Sequence, residues 1–218
     1  MTLETGSPQT HRTPLGPQSA PCAPPRRLYL LWALPALWLC ESARAHEEPH
    51  DGVGFATGLL HPALGFDHFL AMLSVGILSA QIGGRAIWYV PATFVLIMVL
   101  GGVLGMNDTP IPSVEMGIAV SVLVLGIALA TESYVPTWIA LAGVAVFAIF
   151  HGHAHGTEMP VIADPWLYAL GFVTGTSIIH LSGVFIGLGS GRLQRGETLL
   201  RVLGLAIGAA GAYLVVSL

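Results

Sequence analysis

Lysine is absent from this 218-residue chain, and charged residues of every kind make up only 9% of it. Soluble domains carry about 25% charged residues, so the charge here is too sparse to cover a wetted surface. A formal net charge of −4 leaves no basic patch for nucleic acid. No glycine-rich loop closes on Lys-Ser or Lys-Thr, as a phosphate-cradling loop must, so no nucleotide-hydrolysing domain is expected in this chain. Cysteine is scarce too. Cys22 and Cys40 both precede residue 45, in a segment expected to be removed. The remainder would then hold no disulfide and no thiolate ligand. Any metal it handles would meet imidazole, carboxylate, carbonyl or water, a set that suits divalent nickel, cobalt or zinc better than monovalent copper.

What the chain has in quantity is apolar sequence, at 54% of residues. Residues 1–25 are rich in Pro, Ser and Thr and read as a disordered extension. Arg26 and Arg27 then precede an apolar run over 28–40, followed by a short polar stretch ending Ala43-Arg44-Ala45. Positive charge, about a dozen apolar residues and a small-x-small end are the three parts of a secretory signal peptide. Cleavage is expected after Ala45. The Arg pair fits twin-arginine export poorly, and Leu-Trp-Leu before Cys40 lacks the small residues of a lipoprotein signal. Cleavage would make His46 the new N-terminus, with amine and imidazole able to chelate a metal together. The domain reading is therefore residues 1–45 as extension plus signal, and 46–218 as one transmembrane domain.

That domain breaks into apolar stretches at about 52–82, 87–104, 114–130, 137–150, 166–188 and 199–218. The expected fold is all-α and polytopic, with six transmembrane helices, because runs this continuous lack the alternation of a membrane barrel. The first stretch is too long for one simple span, and a break at Pro62 and Gly65 is expected inside it. With the mature N-terminus outside, the loops after spans 1, 3 and 5 face the cytoplasm. Arg85, Arg192, Arg195 and Arg201 all fall in or beside those loops, as the positive-inside rule requires. Trp88, Trp138 and Trp166 fall at span ends, where indoles favour the interface. Gly101, Gly102 and Gly105, and again Gly204, Gly208 and Gly211, are spaced for close helix packing. A homo-oligomer stays open.

Ionisable side chains inside spans cost about 2.5–3.5 kcal/mol each on insertion scales, so they usually line a polar path. One group is His61-Pro62-Ala63-Leu64-Gly65-Phe66-Asp67-His68. On an unbroken helix, His61 and His68 would lie about 10 Å apart, too far for one ion held at about 2.0–2.1 Å by each nitrogen. A broken helix would gather His61, Asp67 and His68. The second group is His151-Gly152-His153-Ala154-His155-Gly156-Thr157-Glu158. Helical spacing puts His151, His155 and Glu158 on one stripe, with His153 pointing elsewhere. Glu115, opening the third span, and His180, near Ser177 and Ser182 in the fifth, complete the set. Glu115 also reads as a first-turn acid on its helix dipole, and His180 as an ordinary interhelical hydrogen-bonding residue.

At these residues the chain resembles the HupE/UreJ family of nickel permeases. The likeness covers roughly residues 46–218 and includes the cleavable signal. It rests on the block from His61-Pro62 to Asp67-His68 with Ala71-Met72 behind it, and on the His-Gly-His-Ala-His-Gly-Thr-Glu block at 151–158. The stretch before Arg26 is longer than the family pattern. The resemblance implies a six-span bacterial inner-membrane permease, mature N-terminus periplasmic, supplying nickel for hydrogenase or urease maturation. It also implies functional roles for His61, Asp67, His68, Phe94, Glu115, His155 and Glu158, with Phe94 packing or gating because it cannot ligate.

The expected mechanism has Ni²⁺, or Co²⁺, captured outside by His155, Glu158 and His46 or His50, then passed to His61, Asp67 and His68. The cation is cargo, and no prosthetic group is expected. Asp67 and Glu115 would offset its double charge. One alternative is an intramembrane zinc hydrolase, for which Ser177 and Ser182 beside His180 are the argument; another is a metal sensor or scaffold without transport.

Overall fold

A computed structural model describes residues 54–131, 135–161 and 164–218. The expected extension and signal, with His46 and His50, lie outside the described residues. The described chain is helix and turn, with no strand among those residues: α1 Gly54–Leu64, α2 Phe66–Ile82, α3 Ala86–Met106, α4 Val114–Thr131, α5 Thr137–Thr157, α6 Pro165–Ser190 and α7 Gly196–Ser217. α3 to α7 are each long and apolar enough to cross a bilayer, and α1 with α2 forms a bent pair that passes the same test together. This is a multi-pass membrane protein. Where lipid offers no hydrogen bonds, a continuous apolar run must satisfy its backbone internally, and a helix does so. The longest helix, α6, is started by Asp164, whose carboxylate accepts from the Trp166 and Leu167 amides at 2.9 and 3.1 Å, with Pro165 in the first turn.

The first apolar stretch is broken, but only at Gly65. Gly65 is extended (φ −77°, ψ 111°), and α1 and α2 meet there at 82°. Pro62 does not break the helix as expected; it sits within α1, buried against α6 near Gly175. Only Ala63 and Leu64 follow it in α1, so its missing N–H removes a single bond at a helix about to end. The fourth stretch also differs. α5 continues past Phe150 to Thr157, so the whole histidine block is helical.

Close contacts give the helix directions. A Cβ on Gly101 or Gly105 would strike the backbone of α5 near Ile149 and His153, and one on Gly152 or Gly156 would strike α3 near Met98 and Gly102. Numbers rise together on both helices, so α3 and α5 run parallel. α4 and α7 run antiparallel, with Ala130 beside Gly204, Gly126 beside Gly208 and Leu123 beside Gly211. α1 meets α6 from Asp164 to Gly175, and α2 continues along it from His180 to Gly187. Both halves of the bent pair thus advance along α6 in one direction. Such approaches rest on small residues and dispersion rather than on water exclusion.

Polarity is inverted relative to a soluble domain. Leu96, Ile127, Phe185, Leu205 and Tyr213 face outward, as do Trp88, Trp138 and Trp166 near helix starts, while His68, His151, His153, His155, Thr176 and His180 are buried. The inside is where the chain keeps its chemistry.

Candidate metal centre

The break at Gly65 turns His61, near the end of α1, and His68, in the first turn of α2, toward one cavity. That cavity, about 190 Å³, is lined by His61, Leu64, Gly65, Asp67, His68, Glu115, His155 and Glu158. The two halves of the first block do not close on each other directly. The His155 ring, from α5, stands between them, 4.8 Å from that of His61 and 4.3 Å from that of His68. Each block therefore supplies half of the centre.

At the mouth, His61 Nε2 lies 3.0 Å from Glu158 Oε2, and His155 Nδ1 lies 4.0 Å from the same oxygen. One ligand atom from each of His61, His155 and Glu158 falls within a 4.8 Å set. Ligand atoms bound at about 2.0–2.1 Å to one ion sit about 3 Å or slightly more apart, so a small closure of side chains would complete three points of a coordination shell. The hydrogen bond with His61 holds the Glu158 carboxyl below its usual range, keeping it anionic. Glu115, exposed in the first turn of α4, adds a second carboxylate to the wall.

On the α2 side of the cavity, Asp67 Oδ1 accepts from both the His68 amide (2.8 Å) and His68 Nδ1 (2.7 Å). Pairing Nδ1 with a carboxylate assigns the proton to that nitrogen and leaves the Nε2 lone pair for an ion. His68 Nε2 is buried with no partner among the described residues. His151 repeats the device one turn along α5: Nδ1 donates to the Phe147 carbonyl at 2.9 Å, and Nε2 has no partner among the described residues. Its ring is 4.9 Å from that of His68. Neither nitrogen of His155 is hydrogen-bonded among the described residues. Side-chain exposure falls from 51% at Glu158 and 23% at His61 to 7% at His68 and 3% at His155, and His151 is fully buried. Glu158 and His61 meet water, and the other three imidazoles do not.

His151 is not on the cavity wall with Glu158, as one continuous stripe would place it; it lies a turn deeper, with His68. His153 points away, its Nε2 donating to the Thr109 carbonyl at 2.7 Å, which ties α5 to the 107–113 turn. Phe94 is buried, with its ring 5.4 Å from that of His151. Tyr168 and Phe172 on α6 were not singled out by sequence, yet they wall the centre beside His61 and His155 at 5.8 and 4.3 Å between rings. Their four-residue spacing was visible, but an aromatic pair in a span reads as packing until the helix opposite is known. Ser177 and Ser182, the argument for a hydrolase, donate to the Val173 and Ile178 carbonyls at 2.7 and 2.8 Å, and His180 has no hydrogen bond from either.

No solved structure matches the chain. Protein HupE of Rhizobium leguminosarum bv. viciae is 44% identical over 184 residues, covering 84% of this chain and 95% of its own length. The HupE / UreJ protein family pattern matches residues 34–214. With that coverage and identity, the chain belongs to the HupE/UreJ family.

Proposed function

We propose that this protein is a permease carrying Ni²⁺ inward across the bacterial inner membrane for hydrogenase or urease maturation, with Co²⁺ as a chemically close second cargo. Family membership supports the substrate, and the single observation that carries the mechanism is the graded cluster. Two carboxylates and His61 stand where water still reaches, while imidazoles with unpaired nitrogens stand where it does not. Burying such groups without partners costs about 1–3 kcal/mol each, so a membrane protein that keeps three together gains something from them. A cation entering from outside would be met by Glu158, His61 and His155, lose part of its hydration there, and pass to His68 and His151. Asp67 and Glu115 would balance charge, Asp67 chiefly through the ring it orients.

Six spans fit this reading. A re-entrant loop would leave α1 and α2 on the same side of the membrane, whereas both halves follow α6 in step over its length. α3 beside α5 in parallel, and α4 against α7 in antiparallel, are the directions that alternating spans produce. The N-terminal end is then periplasmic, and the cluster opens outward.

The test is ⁶³Ni accumulation in cells expressing His68→Ala at the wild-type membrane level. Uptake is expected to fall to the background of cells lacking the protein. Undiminished uptake would remove the carrier reading.

A further inference from the structure

Of the imidazoles around the centre, His155 alone carries no tether among the described residues. His61 Nε2 is paired with Glu158, His68 Nδ1 with Asp67, His151 Nδ1 with the Phe147 carbonyl and His153 Nε2 with the Thr109 carbonyl. Turning any of those rings breaks a hydrogen bond. Neither nitrogen of His155 has a partner among the described residues, and its Nδ1 stands 4.0 Å from Glu158 Oε2, beyond hydrogen-bond reach. The torsion of an imidazole about its Cβ–Cγ bond is broad, so this ring turns at little cost.

It also has somewhere to turn. His155 is the one described residue that lines both the polar cavity of the centre and, behind it, an apolar cavity of about 170 Å³ walled by Met98, Gly152, Gly156 and Phe172. On the polar side its ring lies between those of His61 and His68, at 4.8 and 4.3 Å. As the ring stands, it gathers ligand atoms with His61 and Glu158, and among the described residues His68 and His151 belong to no such set. Yet His68 Nε2 and His151 Nε2 are both buried without a partner among those residues, and their rings are 4.9 Å apart. They are two donors that lack a third.

We infer that the centre holds two overlapping positions for one divalent cation, and that His155 is the ligand common to both, turning to hand the ion from one to the other. The inference rests on the carrier reading above and adds how the ion crosses the centre. In the outer position the donors are Glu158, His61 and His155; in the inner one they are His68, His151 and His155. A shared ligand makes the positions exclusive, because an ion in one takes from the other the donor that completes it. Two dications side by side would also repel strongly across so short a gap. Transfer never strips the ion bare: His155 stays bound while Glu158 and His61 let go and His68 and His151 take hold. Glu158 is left paired with His61, as it stands in this structure.

The experiment is Ni²⁺ titration of the purified, tag-free full chain in detergent, with His46→Ala and His50→Ala to remove the two histidines that shortly precede α1. The otherwise unaltered centre is expected to hold one Ni²⁺ per chain. His61→Ala with Glu158→Gln leaves the inner position, and His68→Ala leaves the outer one. Each is expected still to hold one Ni²⁺, several-fold more weakly, while His155→Ala, which takes a donor from both, falls well below either. The ligand-field bands of bound Ni²⁺ are expected to differ between the first two variants, since one set contains a carboxylate and the other only imidazoles. Two Ni²⁺ per unaltered centre would overturn the inference, as would identical spectra or a His155→Ala variant that binds normally. So would loss of all binding in either of the first two variants, the mark of one indivisible site. Should His155→Ala fail to fold, the stoichiometries and spectra of the other forms decide. The carrier reading fails separately, on normal ⁶³Ni uptake by His68→Ala.

Discussion

Asp67 and His68 are neighbours in sequence, and the side chains are arranged so that one positions the other. Asp67 Oδ1 takes two hydrogen bonds from His68, at its amide and at Nδ1, which fixes where Nε2 points; Oδ2 takes neither. Losing such an orienting partner typically costs about 10–100-fold in metal affinity. Asp67→Asn can still accept from Nδ1 through its amide oxygen, whereas Asp67→Ala cannot. Nickel affinity of purified protein is therefore expected to fall in the order wild type, Asn variant, Ala variant, by isothermal titration. Equal losses in both variants would mean that Asp67 ligates the ion directly.

At the level of helices, the centre depends on α3 and α5 lying unusually close. Gly152 sits between His151 and His153 in the histidine block. A Cβ added there would collide with the Met98 carbonyl and crowd the Gly102 amide, both backbone groups that cannot turn aside. The helices would have to part, moving His151 and His155 away from α2. Overpacking of this kind costs about 1–3 kcal/mol, so Gly152→Ala is expected to lower both the melting temperature in detergent and nickel binding. Gly143, on the same helix, has open space at its Cβ position, and Gly143→Ala should match the wild type in both. A Gly152 variant as stable as the Gly143 variant would show that the close approach carries no weight.

For the whole molecule, the proposed inward transport needs the cluster to open to the periplasm, and four arginines are the argument for that orientation. Arg85, Arg192 and Arg195 lie at turns, and Arg201 in the second turn of α7, at ends that the helix directions put on one side, with Asp108 and Met159 on the other. In a chain free of native cysteines, Asp108→Cys should react with an impermeant maleimide on intact spheroplasts. Gly84→Cys should react only after the membrane is permeabilised. Labelling of Gly84→Cys from outside would make the α1–α2 pair a re-entrant hairpin and turn the cluster's opening into a different question.

Sequence alone determined that this chain lives in a bilayer, roughly where its helices run, and which side chains are costly there. It could do so because the expense of a charge or an imidazole in hydrocarbon depends on residue type and local apolar context, both of which are local. It also showed that His153 leaves the stripe of its neighbours, since helical periodicity is local too. The partnership of His61 with Glu158, ninety-seven residues away, was not local, and neither was the insertion of His155 between His61 and His68. Nor was the choice of Gly65 over Pro62 as the break: both permit a bend, and Pro62 instead sits near Gly175 of α6 inside a helix that continues to Leu64. Those outcomes were decided by which glycine faces met. The spacing between two helices is the sum of all the small residues along their contact, and no single stretch of sequence contains that sum.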